Sequence, residues 1–162
     1  MSQLPWLTKY SGETTSELVA LEATYRKDSI VVAFEQALGQ KSFRLGGSSF
    51  LTKEERVVLA VEALEREVNN GGYDLFFLNS SVEFVTEIVS ALERIGRSDV
   101  ASVTQRAIDI GMSGGRSGGN ILGLNGVETL DLCDSEYFQI AGDLAEPLFE
   151  FIKQAQEHIT LP

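Results

Sequence analysis

Residues 52–72 constrain this chain more than any other stretch. Thr52 and Glu55 stand at the spacing of a capping box, in which the hydroxyl accepts a backbone N–H from the first helical turn and the carboxylate accepts the N–H of the cap residue. Val57, Val61, Leu64 and Val68 follow at i, i+4, i+7 and i+11, a continuous apolar stripe on a 3.6-residue helix. Asn69-Asn70-Gly71-Gly72 then supplies residue types that accept left-handed backbone, which is how many helices end. A helix with one apolar face has to bury that face, and the rest of the chain offers other helices to do it.

Thr14 with Glu17 is a second capping box, followed by Leu18, Leu21 and Tyr25 on one face. The stripe breaks at Asp28-Ser29 and restarts at Ile30–Phe34, which predicts two helices or one kinked helix over about 14–39, with Gly39 as the stop. Residues 40–51, with Gly46-Gly47, read as a loop. Ser80 and Glu83 form a third box ahead of Phe84, Ile88, Ala91, Leu92 and Ile95. A further helix runs from Ser98 or Asp99 to about Ile110, and a final one starts close to Pro147 and carries Leu148, Phe151 and Ile152. Seven glycines fall within 111–126, which predicts a loop. Leu130, Leu132, Tyr137 and Phe138 are expected to anchor a short acidic helical region. The expected fold is all-α: a compact single-domain bundle of about six to eight helices over 1–162.

Charge narrows the functional classes. Thirteen Lys and Arg face twenty-four Asp and Glu, a net of −11. That balance excludes direct nucleic-acid binding, which needs cations against phosphates. No run is long and apolar enough for a membrane span, and the first residues lack the basic and apolar regions of a secretory signal. A lone Cys forms no internal disulfide, and a cytoplasmic location is expected. The excess is local. Residues 1–52 sum to zero, 53–125 to −4 and 126–162 to −7. Between Arg116 and Lys153 there is no base, while Glu128, Asp131, Asp134, Glu136, Asp143, Glu146 and Glu150 lie inside. A second acidic face is expected on the 53–69 helix, where Glu54, Glu55, Glu62 and Glu65 fall in one sector opposite the valine stripe. These four span about 16 Å of axis, a charge density comparable with one strand of DNA.

At 67–79 the chain reads EVNNGGYDLFFLN. Glu67, Val68, Asn70, Gly71, Gly72, Tyr73, Phe76, Phe77 and Asn79, with LTKEERVVLAVEALER before and SALERIG and LDLCDSEYF after, resemble a bacterial DNA-mimic-protein-like family over roughly 50–157. The resemblance implies an all-helical homodimer that occupies the DNA-binding face of a transcription regulator or other basic DNA-binding protein. The residues themselves favour a structural role for the motif: a helix end, a glycine turn and an aromatic plug. The alternative is a groove lined by Glu67, Asn69 and Tyr73, with a pocket near Tyr73 and Phe77, suited to a small ligand or a neutralised toxin.

Catalytic patterns fail on inspection. Gly115-Arg116-Ser117-Gly118-Gly119 fits G-x-S-x-G, but no strand precedes it. Cys133 lies among acids and apolar residues, which suits a buried thiol rather than a nucleophile. His158 is the single His and has no partner for a zinc site. No enzyme activity, metal or cofactor is expected.

Overall fold

The computed structural model describes residues 3–112 and 121–162, with backbone alone over 121–129. Among the described residues there are eight α-helices and no strand, so the chain is an all-α bundle. The G-x-S-x-G stretch lies outside the described residues. Two compact units emerge, residues 1–62 with 145–162, and residues 63–144.

In the first unit, α1 (Thr15–Ala20) opens on the expected box: Thr14 N donates to Glu17 Oε2 at 2.8 Å, and Glu17 N to Thr14 Oγ1 at 3.2 Å. A 3-10 turn at Leu21–Ala23 follows, and then α2 (Lys27–Leu45). Gly39 is helical, so α2 continues past the expected stop and takes in the first part of the expected loop. One glycine costs a helix interior only about 1 kcal/mol, and Ala37 and Leu38 are buried beside it. The helix ends instead at Gly46, whose φ of 92° a side chain would strain. The second capping box opens α3 (Lys53–Gly71). Helix α8 (Ala145–Gln154) packs against α2 and buries Leu148, Phe149, Phe151 and Ile152. The N-terminal segment is tied down by hydrogen bonds from Leu7 N to Ser29 Oγ and from Tyr10 N to Gln36 Oε1, with the Arg26 guanidinium 5.3 Å from the Trp6 ring centre.

The second unit holds the C-terminal part of α3, then α4 (Tyr73–Leu78), α5 (Ile88–Arg94), α6 (Ser98–Gly111) and α7 (Ile121–Ile140). Residues 80–84 form a 3-10 turn, and the Ser80–Glu83 box does not form. Ser81 Oγ instead donates to the Phe76 carbonyl at 2.9 Å, which holds the turn to α4. The acidic region is not short: α7 has twenty residues, and its helix already includes 121–126, the last six residues of the glycine-rich span expected to be loop. In the sequence Ile121, Leu124 and Val127 keep helical spacing among the glycines. Gly111 is also helical and buried; a Cβ there would come within 2.3 Å of the Phe77 ring. Along α7, Leu130, Cys133 and Tyr137 are buried, whereas Leu132 and Phe138 are exposed rather than anchoring.

Candidate functional site

The 67–79 motif closes one helix and starts the next. Gly72 N donates to Val68 O at 2.8 Å, and Gly72 itself takes φ 85°. That turn frees the first N–H of α4, and Asp134 of α7 receives it: Tyr73 N donates to Asp134 Oδ1 at 2.8 Å. A carboxylate at a helix N-terminus also meets the positive end of the backbone dipoles. Gly72 is required twice, because a Cβ on it would lie 2.3 Å from Asp134 Oδ2. Asn79 Nδ2 donates to Glu67 Oε2 at 2.8 Å, joining the two ends of the motif. Asn69, Asn70 and Gly71 are exposed.

The aromatic residues of the motif face inward. Tyr73, Phe76 and Phe77 are buried. The Tyr73 ring stacks on Phe77 at 6.3 Å and meets Tyr137 edge-on at 5.9 Å, while Phe76 meets Phe77 at 5.8 Å. The Tyr73 hydroxyl shares a 2.8 Å hydrogen bond with Thr104 Oγ1. Burial raises the phenol above its ordinary pKa, against the opposing Thr104 hydrogen bond. The rings named for a ligand pocket are thus packed on one another.

The expected acidic face of α3 is not an open surface. Glu55 is fully buried: its Oε1 accepts from Lys41 Nζ at 2.7 Å and from Thr160 N at 3.0 Å, and its Oε2 caps the helix through Thr52 N at 3.0 Å. Glu62 is buried, and Glu54 and Glu65 are half-buried. The helical wheel placed these four opposite the valine stripe, but α3 is covered on more than one side, with Val58, Ala60 and Ala63 buried as well.

The base-free stretch divides between the units. Glu146 and Glu150 belong to the first, where Lys27 Nζ lies 2.7 Å and 3.7 Å from them and Lys153 lies 3.8 Å from Glu150. In the second unit Glu136 pairs with Arg106, while Asp131 and Asp143 are exposed. The side chain of Glu128 lies outside the described residues. Sequence position hid these pairings because Lys27 and Arg106 come from helices far away along the chain.

One acidic group remains gathered. Burial pushes the Asp134 carboxyl above its ordinary pKa, the Tyr73 N–H opposes this, and the nearby charges of Asp131 and Asp74 add to the rise. Asp74, in the first turn of α4, is exposed and was missed by the segment-wise charge count. Its signal was its position inside the motif. Together α4 and α7 present Asp74, Asp131 and Asp134 beside the Gly72 turn.

The groups considered for chemistry are placed otherwise. Cys133 is buried and free, and its thiol pKa is raised by burial, with Arg106 opposing and Glu136 and Asp134 adding. Among the described residues no cluster of three or more His, Cys, Asp or Glu could hold a metal ion, and no helix is long and apolar enough to cross a membrane.

A family model described as DMP19-like protein matches residues 49–155, more than half of the chain. The chain belongs to the DMP19-like family. The DMP19-like region begins just before α3, contains the Gly72 turn, the aromatic plug and all three gathered aspartates, and ends with α8. Helices α1 and α2 precede it. No curated protein and no solved structure matches the chain.

Proposed function

We propose that this protein is a non-catalytic acidic interaction protein that acts as a DNA mimic, occupying the basic face of a DNA-binding protein such as a transcription regulator. The observation that carries the reading is the Asp74–Asp131–Asp134 group, set on the first turn of α4 and the middle of α7 beside the Gly72 turn of a DMP19-like core. Asp131 and Asp134 are about 4.5 Å apart along the α7 axis, near the ~3.4 Å charge spacing of one DNA strand. A fixed carboxylate array of that spacing offers a cationic helix what a phosphate backbone offers. Glu136, Asp143 and Glu128 extend the same helix and its end, and Glu54 and Glu65 contribute where they reach solvent. On this reading the protein works as a homodimer in the cytoplasm.

The test is capture from a bacterial lysate, with the bound proteins identified. The expected catch is a basic DNA-binding protein, released by about 0.5 M salt through screening and displaced by duplex DNA. The D74K/D131K variant should lose the catch. A catch of neutral or acidic proteins, or one indifferent to salt and to duplex DNA, overturns the proposal. Binding should also weaken as pH falls through the raised pKa of Asp134, since the array then loses a charge.

A further inference from the structure

The acidic chain has one stretch of opposite character. Between Glu35 and Glu54 there is no Asp or Glu, while Lys41, Arg44 and Lys53 lie inside. In the first unit this stretch forms the corner where α2 ends and α3 begins. Lys41 is committed to the buried Glu55. Arg44 and Lys53 are exposed, and among the described residues neither has an ion-pair partner. The same stretch carries three apolar side chains that the fold leaves in water: Phe43 is 88% exposed, Phe50 65% and Leu45 46%.

The corner is ordered. Gly47 N donates to Ser42 O at 2.9 Å and Gly46 N to Phe43 O at 3.3 Å, the paired bonds of a Schellman motif. Such a motif commonly brings its own apolar contact across the helix end. Here the Phe50 ring lies 3.9 Å from the Cβ position of Gly46, and the Phe43 ring faces solvent. Leu51 N closes the 3-10 turn onto Ser48 O at 3.0 Å, and Arg56 Nη1 donates to Ser48 Oγ at 3.1 Å. A Phe side chain on a fixed backbone has only two torsions to lose on binding, and exposed aromatic and Arg side chains are the usual anchors of interfaces.

We propose that residues 43–53 are a docking corner for an acidic amphipathic helix of another protein, whose apolar face covers Phe43 and Phe50 and whose carboxylates meet Arg44 and Lys53. Charge decides among occupants. A nucleic acid or an anionic lipid surface presents many charges to a molecule of net −11, against which two cations weigh little. An amphipathic helix presents about one carboxylate per turn beside an apolar stripe, which matches two cations and exposed aromatic side chains in one short corner. This surface is distinct from the aspartate group and does not depend on the mimicry reading.

The experiment is fluorescence anisotropy with the full chain and a labelled peptide of about four helical turns, with Leu on one face and Glu on the flanks. A peptide of the same composition in scrambled order is the control. The patterned peptide should bind and the scrambled one should not. F43S/F50S and R44E/K53E, each confirmed folded by its thermal melt, should weaken binding roughly tenfold or more. D74N/D131N, on the other surface, should leave it unchanged. Equal binding of the two peptides, no binding at millimolar peptide, or retention by both corner variants overturns the proposal. Stronger association of wild type with phosphatidylserine vesicles, or a self-association lost in F43S/F50S without peptide binding, also overturns it and assigns the corner to a membrane or to a second copy.

Discussion

At the scale of single residues, the carboxylates of this chain do different work according to what surrounds them. Glu55 joins the α3 cap, Lys41 and the C-terminal segment, whose carbonyls are also taken by Thr15, Thr52 and Lys41. Removing one partner of a buried pair strands the other. E55A should therefore cost roughly 3 kcal/mol, at the low end of such losses because Lys41 keeps some solvent. E55Q, which keeps the cap acceptor, should cost about 1–2 kcal/mol. Urea denaturation reads both, and a loss under about 0.5 kcal/mol for E55A would refute the clamp. At Gly72, an alanine meets both a positive φ and the Asp134 carboxylate. G72A should destabilise by about 2–4 kcal/mol, and less in a D134A background, where the clash is gone. Asp134 itself has a raised pKa in the folded state, so its ionisation opposes folding. The stability it withholds is present below the unfolded pKa and is lost as pH rises through the folded one. D134N keeps the acceptor for Tyr73 N–H and should be at least as stable as wild type at pH 7, the difference shrinking in acid. Melting temperatures across pH 3.5–7 check the sign.

At the scale of elements, helix ends carry much of the specification. Arg97 precedes α6 and caps α7, donating from Nη2 to Ile140 O at 2.6 Å and from Nη1 to Ala141 O at 2.8 Å. Asp99 holds the guanidinium in place at 3.0 Å through both oxygens, and this pairing keeps its carboxyl below the ordinary range. R97A should cost about 2–3 kcal/mol, the scale of charge-assisted hydrogen bonds, and should speed amide exchange at the end of α7. Lowered in the fold, Asp99 contributes stability above its unfolded pKa that is lost as pH falls through the folded one, and R97A should remove that acid sensitivity. The two capping boxes at Thr14 and Thr52 form because their partners are local. The one at Ser80 does not form, and its neighbours bond elsewhere: Asn79 to Glu67 and Ser81 to the Phe76 carbonyl. Helix α2 runs past Gly39 and stops at Gly46, where the backbone turns left-handed.

At the scale of the whole molecule, the net charge of −11 is partly internal. Glu146, Glu150, Glu22 and Glu136 are paired with Lys27, Lys153 and Arg106, so the field outside is weaker and more uneven than the count suggests. The remaining excess still favours solubility. Solubility should pass through a minimum near pH 4.5, the sequence pI, because repulsion between molecules vanishes there. Light scattering from pH 3.5 to 7.5 measures this, and a solubility that does not recover below the minimum would point to unfolding instead. Unevenness also explains how a predominantly acidic chain carries a basic, aromatic corner at 43–53: α2 contributes Arg44 and the start of α3 contributes Lys53, with no acid in between.

The sequence alone determined the all-α architecture, the extent of α3, the short α4 plug and the buried Cys133. These rest on residue spacing within one element, where apolar periodicity and capping geometry act over a few residues. The family was likewise legible in the 67–79 motif and its flanks. Only the tertiary structure decided which carboxylates are buried and which lie together. Glu55 and Glu62 look like a solvated face on a helical wheel and are buried, whereas Asp74 of α4 comes from a distant part of the chain to Asp131 and Asp134 of α7. Burial and ion pairing are set by what packs against a helix from elsewhere, and the period of a single helix does not carry that information.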